Sequence, residues 1–231
     1  RSIVILFLIT ALGPSTLLAA PTAATWRARA GAEVGSQSQH GYLDLEMPLL
    51  GRFRKGLTQR LSLDWREYSY GADNSSVDMR ALGAEYALGY QSGGGAGWWG
   101  GYIGLQHRQI ERSPERPQDE GGDEPWRLGF HFKGELQLDP LWRASGKLDT
   151  YPASKGYELR GRLLRDIGDG LSVGPEVSYQ ADQDQDAKQL GIVISGFRPL
   201  PGLKTTARAG IEQNGEGERG WFIGLEFSRH F

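Results

Sequence analysis

Four histidines (His40, His107, His131 and His230) and no cysteine make up the imidazole and thiol chemistry of this 231-residue chain. The missing thiols exclude disulfide frameworks, thiolate zinc sites, iron–sulfur clusters and cysteine nucleophiles together. No histidine stands in an H-E-x-x-H motif or an i,i+4 helical pair. The best nucleophilic constellation is Ser145 with His131 and a carboxylate from Glu135 or Asp149. A histidine inside a hydrogen-bonded network accounts for the same residues better. Gly215-Glu216-Gly217-Glu218-Arg219-Gly220 matches G-x-G-x-x-G in letters, but it carries two glutamates and precedes a strand rather than a helix, so a hairpin loop is expected. Asp182-Gln183-Asp184-Gln185-Asp186 opens like a calcium loop, yet Ala187 and Val193 occupy the positions that need Gly and an acidic ligand. The sequence therefore assigns no catalytic, cofactor or metal residue, and a non-enzymatic protein is expected.

The remaining chemistry is charge, and its spacing has period two. Trp126, Leu128, Phe130, Phe132, Gly134, Leu136 and Leu138 share one parity, while Arg127, Gly129, His131, Lys133, Glu135, Gln137 and Asp139 share the other. On a strand that pattern gives one apolar and one charged face; on a helix the charges would encircle the cylinder. The same alternation recurs around Leu61 to Trp65, Leu82 to Tyr90 and Trp221 to Phe227, and more weakly in eight other segments. About twelve strands result, many of ten or more residues, which is long for a soluble sheet but suits a tilted membrane strand. The charged parity collects Arg60, Asp64, Arg66, Glu85, Arg127, His131, Lys133, Glu135, Lys147, Asp149, Arg160, Arg162, Glu176 and Glu226 as candidate lumen residues, and Arg80 is placed with them.

The fold expected from this is all-β: a transmembrane antiparallel up-and-down β-barrel of about twelve strands with both termini periplasmic. Composition agrees. Glycine is abundant at 34 residues, hydrophobic residues make up 39% and charged residues 23%, and the net charge is −2. The chain has a mean hydropathy of −0.46. A membrane barrel looks polar on average because half of each strand faces the lumen. The near-neutral balance argues against nucleic acid as a partner. A soluble antiparallel sandwich also alternates, but rarely carries so many Arg, Glu and Gly on one parity over strands this long. A closed barrel also leaves no backbone edge unpaired in hydrocarbon.

Residues 1–24 have a basic start, an apolar middle and small residues near Ala20 and Ala24. They read as a signal peptide cleaved at one of those positions, with an uncleaved anchor as the alternative. Residues 25–231 then form a single barrel domain. Connectors alternate between tight turns, such as Asp139-Pro140-Leu141 and Gly168-Asp169-Gly170, and polar, mostly longer loops, above all the acidic segment from Glu111 to Pro125. Short turns on one rim and long loops on the other are the outer-membrane layout.

One hairpin can be read in detail. Setting Asp139 opposite Arg143, Glu135 opposite Lys147 and Lys133 opposite Asp149 pairs opposite charges on the lumen face. A two-residue slip would oppose Lys133 and Lys147. The first register is expected, with Pro140-Leu141-Trp142 as the turn. The seven tryptophans mostly lie near strand ends and are expected in aromatic girdles, with a carbohydrate-stacking platform at Trp98-Trp99 as the alternative.

Gly156-Tyr157-Glu158-Leu159-Arg160-Gly161-Arg162-Leu163, leading through Asp169-Gly170 into Leu171-Ser172-Val173-Gly174-Pro175-Glu176, resembles the cellulose biosynthesis protein BcsS family of Gram-negative bacteria. The likeness is strongest over residues 140–231 and includes the closing strand. Arg112 to Glu124 is longer and more acidic than the family pattern. The resemblance implies an outer-membrane barrel that acts as an accessory in cellulose synthesis or export. The partners expected are outer-membrane lipid, the barrel-assembly machinery through the strand ending at Phe231, and cellulose synthase components or the glucan chain. No catalytic residues are carried over. Tyr102 and Phe222 are the aromatic candidates for a glucan path. An outer-membrane hydrolase and a structural or adhesion barrel are the alternative functions.

Overall fold

The computed structural model describes residues 26–36, 38–72, 75–113, 125–181, 186–215 and 217–231. The expected signal segment, residues 182–185 and most of the acidic loop lie outside the described residues.

Alternation translates directly into strands: β1 (Arg27–Gly35), β2 (Ser38–Arg52), β3 (Lys55–Ala72), β4 (Ser75–Gly94), β5 (Gly97–Ser113) and β6 (Trp126–Gln137). They are followed by β7 (Trp142–Tyr151), β8 (Gly156–Gly168), β9 (Leu171–Ala181), β10 (Asp186–Leu200), β11 (Leu203–Asn214) and β12 (Arg219–His230). Each strand pairs antiparallel with its chain neighbours, and β1 pairs with β12 to close the barrel. The seam extends past the strands. Trp26 N–H donates to Phe231 O at 3.3 Å, Phe231 N–H returns to Trp26 O at 3.0 Å, and the two rings stack at 3.8 Å.

Period two decides what faces where. Leu128, Phe130 and Phe132 of β6 are exposed on the outside, whereas Arg127, His131 and Lys133 between them are buried. The same outward row of large apolar side chains runs around the barrel through Ile103, Leu159, Ile192, Ile211 and Ile223. This inverts a soluble core. Apolar groups line the outside and ionic groups fill the middle, which is stable only where hydrocarbon replaces water around the barrel.

The turns gather at the rim that also holds Trp26 and Phe231, here the turn rim. Asp169 and Gly170 both have positive φ (53° and 73°), the geometry of a two-residue type I′ hairpin. At the same rim Gly196 sits at a register shift in β10 with φ +104°, and a Cβ there would lie 2.0 Å from Gly170 O. Only glycine tolerates both conditions. Of the G-x-G-x-x-G stretch, Gly215, Gly217 and Glu218 lie between β11 and β12, held by Gly217 N–H to Asn214 O (3.0 Å) and by Glu218 N–H to Asn214 Oδ1 (2.9 Å), while Arg219 and Gly220 open β12.

Many of the glycines have a second use. Inward glycines lie beneath long inward side chains: Gly31 under Tyr42, Gly104 under Glu85, Gly129 under His131 and Tyr151, and Gly224 under Arg208. Each removes a Cβ where a neighbour's side chain must lie flat against the barrel wall.

The β6–β7 hairpin does not take the expected register. His131 pairs with Asp149, Lys133 with Lys147 and Gln137 with Arg143, so the two lysines stand opposite. The turn is responsible. Asp139 Oδ1 accepts from Leu141 N–H (2.7 Å) and Trp142 N–H (2.8 Å), while Leu138 N–H donates to Trp142 O (2.9 Å). This makes Asp139-Pro140-Leu141 the turn and draws the strands together two residues out of the expected phase. The lysine pair is tolerated because the ammoniums diverge, Lys133 to Glu46 and Lys147 to Asp149 (2.6 Å) and Glu158 (3.4 Å). Arg80 is a second correction. It points outward near the loop rim and pairs with Glu67 at 3.1 Å, because the inward parity of β4 falls on Met79 and Ala81.

Candidate functional site

All fourteen candidate lumen residues lie on inward positions of their strands, and all but Arg127 join side-chain networks. At the turn rim Glu46, only 2% exposed, receives Arg27 Nη2 at 3.0 Å, Gln91 Nε2 at 2.5 Å and Lys133 Nζ. Lys133 also stands 4.7 Å from the centre of the Tyr102 ring. In mid-barrel Glu85 holds Arg60 at 2.5 Å and accepts from Tyr151 Oη at 3.0 Å. Its other neighbour is His131, whose Nε2 lies 3.0 Å away. His131 Nδ1 in turn lies 2.9 Å from Asp149, which leads through Lys147 and Glu158 to Arg160. On the remaining wall Glu176 takes Arg162 and Arg208, the latter at 2.9 Å, and Gln189 donates to Glu33 at 2.8 Å. Glu226 accepts from Tyr42 Oη at 2.5 Å. Asp64 accepts from Gln106 Nε2 at 3.1 Å, and Glu135 stands 3.9 Å from Arg143.

Some of these links cross the lumen. Arg66 on β3 reaches Glu158 on β8 at 3.5 Å and Gln180 on β9 at 3.3 Å, strands on the far wall of the closed order. Burying a charge is costly unless it is paired and hydrogen-bonded, and most of these cations meet a carboxylate. A cavity of about 320 Å³ threads between the bridges, touching Lys204 and His230 near the turn rim and Ser154 and Ala181 near the loop rim.

The Ser145–His131 constellation does not assemble. Ser145 sits opposite Glu135 and Arg162, whereas both ring nitrogens of His131 face carboxylates, leaving neither to take a proton from a serine hydroxyl. The candidate aromatic path is also occupied. Tyr102 is 3% exposed with Arg60 and Lys133 at its ring, and Phe222 is 1% exposed beneath Arg208. Trp98 and Trp99 divide. Trp99 points outward into an aromatic cluster with Tyr90 and Phe132, as expected of a girdle, while Trp98 faces the cavity with Arg54 4.7 Å from its ring. Adjacent residues on a strand must take opposite faces, so parity alone separates this pair. Sequence reasoning also left Arg54, Arg108 and Lys204 out of the lumen set; all three line the cavity. Their parity is the available signal for Arg108 and Lys204, whereas Arg54 sits in a turn where parity says nothing.

Comparison with solved structures places the architecture among outer-membrane barrels. An outer membrane channel from Pseudomonas putida F1 superposes with a TM-score of 0.55 at 13% identity, covering 95% of this chain and all of that one. The KdgM porin matches with a TM-score of 0.52 at 12% identity over 87% of this chain and 98% of its own. The translocator domain of the autotransporter NalP from Neisseria meningitidis matches with a TM-score of 0.50 at 10% identity, over 91% and 90%. At such identities the likeness is one of fold. No curated protein matches the chain in sequence. A family model for the cellulose biosynthesis protein BcsS covers residues 28–231, from the first strand to the last residue, and the chain therefore belongs to the BcsS family.

Proposed function

We propose that this chain is an outer-membrane barrel with both termini on the periplasmic side that serves cellulose biosynthesis or export as a non-catalytic accessory. The observation that carries the proposal is the family match over residues 28–231 on a closed barrel with an apolar exterior. The cross-lumen bridges favour a scaffold over a conduit for a glucan chain. Arg66 spans the lumen to Glu158 and Gln180, and Tyr102 and Phe222 have no free face to offer a sugar ring. In this role the barrel presents its rims to cellulose synthase components. Its last strand, ending on the Trp26–Phe231 stack, is what the barrel-assembly machinery would engage.

The test is genetic and chemical. Deleting the gene in a cellulose-producing host should lower the acid-insoluble glucan released as glucose, with the protein recovered in the outer-membrane fraction of the parent. Complementation with His131→Asn should restore production if no proton transfer at His131 is needed. Unchanged cellulose on deletion refutes the accessory role, and failure of a well-folded His131→Asn protein to complement refutes its non-catalytic character.

A further inference from the structure

The open surface of the lumen does not share the balance of the whole chain. Among the described residues that touch the cavity, thirteen are Lys or Arg and seven are Asp or Glu, although the chain as a whole carries −2. Glu46 and Glu176, each 2% exposed, contribute to the difference, because they are sealed behind their cations and do not face the void. A mobile ion in the lumen therefore meets a positive wall.

Two arginines of this excess stand together near the loop rim. Arg108 and Arg127 come from adjacent strands, with Arg127 opposite Gln106 and Arg108 two residues further along β5. Both touch the cavity. Arg127 is 9% exposed and has no ion pair or hydrogen bond from its side chain among the described residues. The Nε and Nη2 atoms of Arg108 are buried without a hydrogen-bond partner among the described residues. Arg66 and Arg127 both repel Arg108, and the facing carboxylate, Asp64, is already engaged by Gln106. Uncompensated buried guanidinium is costly, and two such forks side by side match the oxygens of a carboxylate or phosphate.

We propose that Arg108 and Arg127 form an anion-binding site inside the loop-rim mouth of the lumen, for a soluble ligand bearing a carboxylate or phosphate group. The inward placement excludes a lipid headgroup, because both side chains face the cavity rather than the apolar exterior. The positive lumen wall raises the local concentration of such an anion. The site deepens the outer-membrane reading by naming a ligand class, and it stands apart from the cellulose role.

Isothermal titration of the refolded full chain in detergent at about 0.1 M salt, where screening extends only about 10 Å, would test the site with glucuronate, inorganic phosphate and glucose in turn. Binding of glucuronate, phosphate or both is expected, weakening as salt rises, with glucose giving none. Glucuronate alone assigns a carboxylate ligand, and phosphate alone a phosphate ligand. The Arg108→Gln/Arg127→Gln variant should lose binding tenfold or more, while Arg80→Gln on the exterior should retain it. Because the double substitution removes unpaired buried charge, it should unfold at higher urea than the parent. A heat-modifiable shift in electrophoretic migration confirms that it folds. Heat from neither anion, equal heat from glucose, or binding that survives the double substitution would overturn the proposal. None of these outcomes depends on cellulose output, so the site and the accessory role fail separately.

Discussion

Glu46 is where the ionic interior can be tested most sharply. Its carboxylate is 2% exposed and is shared by Arg27 at 3.0 Å, Gln91 at 2.5 Å and Lys133. Glu46→Gln keeps the volume and one acceptor but leaves two cations, 7% exposed each, with no counter-charge. Breaking a buried pair from one side costs about 3–5 kcal/mol. Stacking of Lys133 on Tyr102 and of Arg27 on Phe53 and Trp98 is present in the parent as well and so does not offset that cost. A loss of about 3–5 kcal/mol is therefore expected. Urea unfolding of the barrel refolded into vesicles, followed by tryptophan fluorescence, should show a lower midpoint at unchanged slope. Glu67→Gln is the control, because its partner Arg80 is 65% exposed and such surface pairs contribute about 0–1 kcal/mol. Adding Lys133→Met to Glu46→Gln removes one stranded cation and should recover part of the loss. The reasoning is refuted if Glu46→Gln costs no more than Glu67→Gln, or if the double variant is no more stable than Glu46→Gln alone.

Three further outcomes follow from local geometry. Gly196→Ala places a Cβ 2.0 Å from Gly170 O at φ +104° and should cost about 1–3 kcal/mol by the same urea assay, whereas Gly95→Ala, with open space around it, should be silent. Ile103→Arg, midway along β5 and 57% exposed on the outside, should destabilise the barrel by about 2–4 kcal/mol in bilayers. Phe231→Ala removes the stack on Trp26 at 3.8 Å, worth about 0.5–1.5 kcal/mol beyond its buried area. Its folded yield in the outer membrane, read by heat-modifiable migration, should fall below that of Phe231→Tyr.

The sequence by itself determined the strand number, the approximate positions of the turns and the face of most strand side chains, with Arg80 and the β6–β7 turn as the exceptions. These depend on nothing longer-ranged than the two-residue repeat of an extended chain, which is why Arg127, His131 and Lys133 could be placed inward and Leu128, Phe130 and Phe132 outward. Turn chemistry is equally local, as the positive φ of Asp169 and Gly170 illustrates. The register of β6 on β7 was not legible, because a two-residue slip keeps every side chain on its own face. Parity is blind to that slip, and the Asp139 turn decides it instead. Nor did sequence reveal which acid each base would meet. Lys133 on β6 reaches past three strands to Glu46 on β2, Arg66 crosses to Glu158, and His131 is caught between Glu85 and Asp149. Those encounters exist only once β1 has met β12 and the stagger of the strands is fixed. The same closure seals Glu46 and Glu176 away from the void and leaves Arg108 and Arg127 facing it. Local periodicity chose the residues of the lumen, and barrel closure chose their partners.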